Sequence, residues 1–125
     1  MIIVSDLSKH DCITGFAGEW EPRRQWPLTD GGTVPVNGRL AGNELGLSHA
    51  ACLSGLGIAL MPSGVVADDL RSGVLHMVLP DQIGQETPVH LVYVDREYID
   101  PKVRIFVDRA ARVITAEMPR RFEGI

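Results

Sequence analysis

The chain has few of the features that announce a function. Its 125 residues carry a formal charge of −4 and a pI near 5.5, so no excess of positive charge draws it to phosphates, and a nucleic-acid-binding role for these residues is excluded on charge. Arg23-Arg24 and Arg120-Arg121 are the basic pairs; each is flanked by acids or sits at a tail and reads as solvated surface. No apolar run approaches the ~20 residues that span a bilayer. The start, Met1-Ile-Ile-Val, lacks the basic and long apolar regions of a signal peptide, which points to a cytoplasmic protein. Cysteine is scarce. Cys12 and Cys52 stand among apolar neighbours with no basic residue close in sequence, and read as buried free thiols. There is no internal repeat, linker or low-complexity tract, and the length is that of one ordinary domain.

What is present is an alternation of short strands and helices. Residues 11–15 form a short apolar strand after a turn at 6–9, broken by Gly15-Phe-Ala-Gly18. Residues 19–24 are polar and proline-bearing and read as loop. Residues 24–28 and 33–36 are two strands meeting at Asp30-Gly31-Gly32, a hairpin signal because successive residues there can take positive φ. Pro27, which cannot donate to a ladder, makes the first of them an edge.

A helix over 44–54 is predicted next, with Asn43 as N-cap and Glu44 at the positive end of the dipole. Leu47, Ala50, Ala51 and Ser54 form its repeating face, Gly55 its C-terminal stop, and Gly57 the sharp entry into a buried strand over 58–61. A second helix runs over 62–71, stopped by Gly73. Residues 74–79 and 89–94 are rich in branched apolar residues and read as strands, joined by a surface loop. The last helix opens at Asp100-Pro101. Val103, Phe106, Val107, Ala110, Val113 and Ile114 lie on one stripe of it. The pattern predicts an α/β fold with a mostly parallel sheet.

Enzyme signatures are weak. Gly46-Leu-Ser48-His-Ala50 resembles a nucleophile elbow with its last glycine replaced, but no apolar strand leads into Ser48, which reads as a small helical residue. Gly55-Leu-Gly57 follows a helix and enters a strand, the reverse of a dinucleotide-binding turn. His10, His49, His76 and His90 have no metal-ligand spacing, although paired strands would set His76 opposite His90. Asp68-Asp69 reads as solvated surface. No catalytic residue, metal or cofactor is expected. The one site suggested by geometry is the N-terminus of the 44–54 helix, where unpaired N–H groups and the amide of Asn43 would meet a polar ligand. Glu44 alongside argues against a strongly anionic one. Asn43 acting only as a cap is the plain alternative.

Four segments together resemble a known family: Leu7-Ser-Lys-His10-Asp-Cys-Ile13; Val36-Asn-Gly-Arg-Leu-Ala-Gly-Asn-Glu-Leu45 running on to Ala50-Ala-Cys-Leu-Ser-Gly-Leu-Gly-Ile-Ala-Leu-Met-Pro62; Pro88-Val-His-Leu-Val-Tyr-Val-Asp-Arg96; and Pro101-Lys-Val-Arg-Ile-Phe-Val-Asp108. In order and spacing they are similar to the effector-binding domain of LysR-type transcriptional regulators. The resemblance implies a type 2 periplasmic-binding-protein-like α/β fold: the second effector subdomain over about 8–90, then a returning strand and C-terminal helix over about 88–118. Nothing in the chain resembles the family's N-terminal DNA-binding domain, its linker helix or the first half of its effector domain. The resemblance further implies a small metabolite held in an inter-subdomain cleft, homo-oligomers, DNA contact only through the N-terminal domain, and no membrane. By position it assigns Gly15, Phe16, Asn43, Glu44 and Leu45 to the ligand, with Tyr93 from the returning strand. Two other readings stand beside it: a stand-alone protein–protein interaction module using the apolar stripe of the last helix, and a small hydrolase using Ser48.

Overall fold

The computed structural model describes residues 3–16, 21–94 and 98–121, the last two without their side chains. The Met1-Ile2 start, Ala17 and Gly18 of the strand break, Glu19 and Trp20 of the following loop, Asp95-Arg96, and the side chains of the Arg120-Arg121 pair lie outside the described residues. The chain divides into two compact units, residues 1–86 and 87–125.

In the first unit a 3-10 helix, Val4–Lys9, leads into strand β1, Cys12–Thr14. All three residues of β1 are buried. Strands β2 (Gln25–Pro27) and β3 (Thr33–Pro35) form the antiparallel hairpin, with Trp26 opposite Val34. At the turn Gly31 takes φ +98, and the Gly32 amide donates to Asp30 Oδ1 at 2.9 Å. The Asp-Gly-Gly signal is thus realised through both a positive φ and a side-chain bond. Pro27 does sit in a two-stranded ribbon, where its missing N–H costs no interior ladder bond.

Strand β4 (Leu40–Ala41) and strand β5 (Ile58–Ala59) flank β1, both parallel to it, in the order β4-β1-β5. Helix α1 (Leu45–Leu53) connects the two outer strands and lies against β1 and β5. It buries Ser48 and Ala51, whereas Leu47 and Ala50 are exposed. The small-residue character of the packing face is as expected, but the face itself is rotated from the one the spacing suggested. Ser48 and Ala51 bring the helix backbone close to the sheet; a leucine there would hold it off.

Gly55 follows the helix with φ +80 and closes it. Gly57 has a different reason to be glycine: a methyl group there would stand 2.1 Å from the Asp11 carbonyl oxygen. Helix α2 (Ser63–Ser72) ends on Gly73 in the left-handed region, also at φ +80. It buries Val66 and Ala67.

The core is Leu7, Cys12, Trp26, Val34, Val36 and Leu79, drawn from the 3-10 helix, β1, the hairpin and the segment after α2. Burying each larger side chain contributes about 1.5–3 kcal/mol. Residues 74–79 form no strand. Leu79 instead turns to φ +52 and plugs the core, and Ile83 bridges Leu28 at the end of the hairpin. Branched residues favour extended backbone, but a ladder also needs a neighbouring edge.

The second unit holds an extended segment over 88–94 that pairs in no ladder among the described residues, so the strand expected there is not formed. Helix α3, Pro101–Arg121, follows. Asp100 caps it as predicted: its Oδ1 accepts the Lys102 amide at 2.9 Å. No described helix is long and apolar enough to cross a membrane.

Candidate functional site

Parallel pairing fixes where the chain leaves the sheet. Thr14 pairs with Ala41, so β1 and β4 end side by side. Beyond them Gly15 and Gly42 are neighbours: the Gly42 amide donates to the Thr14 carbonyl at 2.9 Å, and a methyl group on Gly15 would lie 3.7 Å from the Gly42 carbonyl oxygen. The chain then passes through Asn43 and Glu44 into α1. The carboxyl ends of two adjacent parallel strands therefore open beside a helix N-terminus, the usual place for a ligand in an open α/β sheet.

Five of the six residues assigned by resemblance belong to this corner. Gly15 and Phe16 are half-buried, and Phe16 is held by a bridge to Pro22 while the Arg23 amide donates to the Gly15 carbonyl at 2.7 Å. Asn43, Glu44 and Leu45 are exposed. Tyr93 lies in the second unit, where it lines a cavity of about 70 Å³ with Ile99, Val103, Arg104, Val107 and Asp108. That space is well below the roughly 300–1,000 Å³ of a metabolite pocket.

The cap of α1 differs from the expectation. Glu44, not Asn43, occupies the N-cap position, with extended φ −123 and ψ 128, and no side chain bonds to the first-turn amides. The helix begins one residue later than the sequence pattern suggested. Glu44 is a poor cap because its side chain is too long for the reciprocal bond that Asn or Ser makes. Its carboxylate instead reaches over the first turn, where a methyl group on Gly46 would meet Oε1 at 3.2 Å. The first-turn N–H groups thus have no side-chain acceptor, and a negative charge already stands over them.

Leu47 was overlooked in the sequence. A methyl group on Gly42 would lie 2.9 Å from Leu47 Cδ2, so this leucine forms an apolar shoulder over the strand end. The signal available was its place at the third position of the helix, one turn above the strand exit.

The remaining sequence candidates resolve as follows. Ser48 is buried within α1, its amide donating to the Glu44 carbonyl at 3.3 Å, and no strand leads into it, so the nucleophile elbow is not formed. Asp69 corrects the expectation of a solvated pair: it is half-buried and its Oδ2 lies 2.6 Å from His49 Nε2, tying α2 to α1. Asp68 pairs with Arg71 at 3.2 Å. Because neither 74–79 nor 89–94 enters a ladder, the strand pairing that would oppose His76 and His90 does not arise. Among the described residues no cluster of three His, Cys, Asp or Glu could hold a metal. Cys12 and Cys52 are free thiols, Cys12 buried and Cys52 partly so.

Comparison with known proteins agrees with this geometry. Residues 2–114 match the family described as LysR substrate binding domain. The chain is 40% identical to the HTH-type transcriptional regulator DmlR of Escherichia coli K12 over 108 residues, which are 84% of this chain and 34% of that protein. It is 27% identical to the HTH-type transcriptional regulator CrgA of Neisseria meningitidis serogroup C over 106 residues, 82% of this chain and 35% of that one. The regulatory domain of AphB from Vibrio vulnificus superposes with a TM-score of 0.67 at 29% identity, over 87% of this chain and 54% of the other. The chain thus spans about a third of these curated relatives and about half of the solved regulatory domain. Its α/β fold is that of such regulatory domains, and the proteins it matches are regulators of transcription, not enzymes.

Proposed function

The chain belongs to the LysR substrate binding domain family, and we propose that it is the effector-sensing and oligomerisation portion of a LysR-type transcriptional regulator. In this reading it binds a small metabolite in a cleft between two subdomains, works in the cytoplasm, and reaches DNA only through the N-terminal domain of a longer regulator.

One observation carries the ligand site: the ends of β1 and β4 open together at an α1 N-terminus whose amides no side chain caps. Gly15 and Phe16 line one side, and Asn43, Glu44 and Leu45 the other. Tyr93 is assigned by family position alone. The Glu44 carboxylate over the first turn favours a ligand whose group at α1 is neutral or positively charged; a carboxylate there would meet like charge. The amide of Asn43 suits such a group, since it both donates and accepts.

The test is a titration of the ¹⁵N-labelled chain with small carboxylic acids, amino acids and amides, followed by amide resonances. Saturable shifts clustered at Gly15, Phe16 and residues 43–46 support the site. Saturable shifts centred elsewhere, or none from any compound even when the chain is extended to the length of the solved regulatory domains, would sink it.

A second reading, a stand-alone interaction module, is favoured by one specific observation, the exposed apolar face of α3.

A further inference from the structure

Helix α3 carries an apolar face that its own unit covers on one flank only. Val103 and Val107 line the small cavity with Tyr93 and Ile99. Phe106, Val113 and Ile114 remain 69%, 51% and 37% exposed. Burying side chains of this size is favourable, and an uncovered row of them is the mark of an interface.

The order of residues along the face states what would cover it. Phe106 and Val107 stand four and three positions before Ala110, and Val113 and Ile114 stand three and four after it. The pattern reads the same from either end. Spacings of three and four also continue outward, to Val103 on one side and Glu117 on the other, which is the seam of two helices packed side by side.

We propose that this face pairs with the same face of a second copy, the two α3 helices running antiparallel across a twofold axis at Ala110. In that register Val107 meets Val113 and Phe106 meets Ile114, so each large side chain faces one of moderate size. Ala110 meets Ala110, and its small side chain lets the axes approach to about 8 Å, the close end of the range for packed helices. A twofold interface requires such self-complementarity.

Charge decides between the two directions. Side-by-side parallel packing would set Glu117 against Glu117 and Phe106 against Phe106. Antiparallel packing brings Glu117 of each copy beside Lys102 and Val103 of the other, at both ends of the pair. Like charges facing across a seam oppose association, and opposite ones fix its direction. The pairing rests on α3 alone and not on the metabolite site.

The experiment uses the 125-residue chain. Sedimentation equilibrium over a hundredfold concentration range should show a species of twice 13.7 kDa. Val107→Cys and Val113→Cys chains, one of them ¹⁵N-labelled, are then mixed and oxidised, with the unsubstituted chain as background for Cys12 and Cys52. A disulfide joining a Val107→Cys chain to a Val113→Cys chain is the expected product. A Val107→Cys chain joined preferentially to its own kind would overturn the antiparallel register. Glu117→Lys should weaken the pair about tenfold, and Lys102→Glu added to it should restore most of the loss. A well-folded monomer at every concentration overturns the proposal outright, and it leaves the ligand site standing. A dimer that binds no metabolite does the reverse.

Discussion

Gly38 passes so close to β1 that a methyl group on it would stand 1.5 Å from the Cys12 carbonyl oxygen. The obstacle is backbone on both sides, because the Cys12 amide is itself bonded to the Asn37 carbonyl at 2.8 Å. Gly38→Ala should therefore cost about 2–4 kcal/mol, and thermal melting should fall by roughly 10 °C. Gly46→Ala is the contrasting case. Its methyl group would meet only the mobile end of Glu44, and alanine favours helix by up to about 1 kcal/mol, so that variant should melt at or above the parent temperature. Cys12 supplies a dependence on pH. Burial pushes its thiol up from the ordinary value of 9.0, Asp11 adds to the rise, and a backbone hydrogen bond from Asn37 offsets part of it. The folded chain thus holds this proton more tightly than the unfolded one. Stability from this group is complete below about pH 9 and declines as pH climbs from there towards the raised folded value. Melting temperature recorded from about pH 8 to 10 should fall more steeply for the parent than for Cys12→Ala; equal slopes would show that the buried thiol does not contribute.

The elements differ in how far their own residues specify them. The hairpin, the stop of α2 at Gly73 and the cap of α3 at Asp100 depend on local chemistry, and each forms where the sequence places it. Helix α1 was legible as a helix with a small-residue face, but the start and rotation were not. Asn43 is the better cap by residue type, yet Gly42 is committed to the Thr14 carbonyl and the chain turns into the helix only after Glu44. Residues 74–79 and 89–94 show the limit more plainly. Valine and leucine supply the propensity for a strand, and whether an edge stands ready to receive it is a property of distant residues. The pair His49–Asp69 was equally hidden, since the partners come from different helices. At 2.6 Å and half-buried, it should couple α1 to α2 by about 1 kcal/mol. A double-mutant cycle of His49→Ala and Asp69→Ala measures that coupling; strictly additive losses would mean the contact contributes nothing of its own.

Over the whole molecule the two units are built differently. The first is layered, with a buried central strand and ladders on both sides of it. In the second an extended segment without a ladder precedes a long helix, and Val92 is 92% exposed. Amide hydrogen exchange should reflect this: amides of β1 and of the interior of α1 should be protected by orders of magnitude, and those of residues 89–94 should exchange close to the rate of free peptide. Slow exchange across 89–94 at concentrations where the chain is monomeric would mean that the segment finds a partner strand. The candidate site follows the same division. The corner of Gly15, Phe16 and residues 43–45 was accessible from the sequence because parallel strands must end together. Tyr93 came from family likeness only.

The place of β1 in the middle of its sheet also governs when the chain can fold. Its partners are Leu40–Ala41 on one side and Ile58–Ala59 on the other, so the strand made first must wait for both. Pairings that span so much chain close slowly, because the intervening loop loses its freedom before any contact rewards it. During synthesis the strand would leave the ribosome well before either neighbour and keep one bare edge until residue 58 had emerged. A chain interrupted between residues 41 and 58 would therefore retain its most buried strand as an open edge, available to any other unfinished chain nearby.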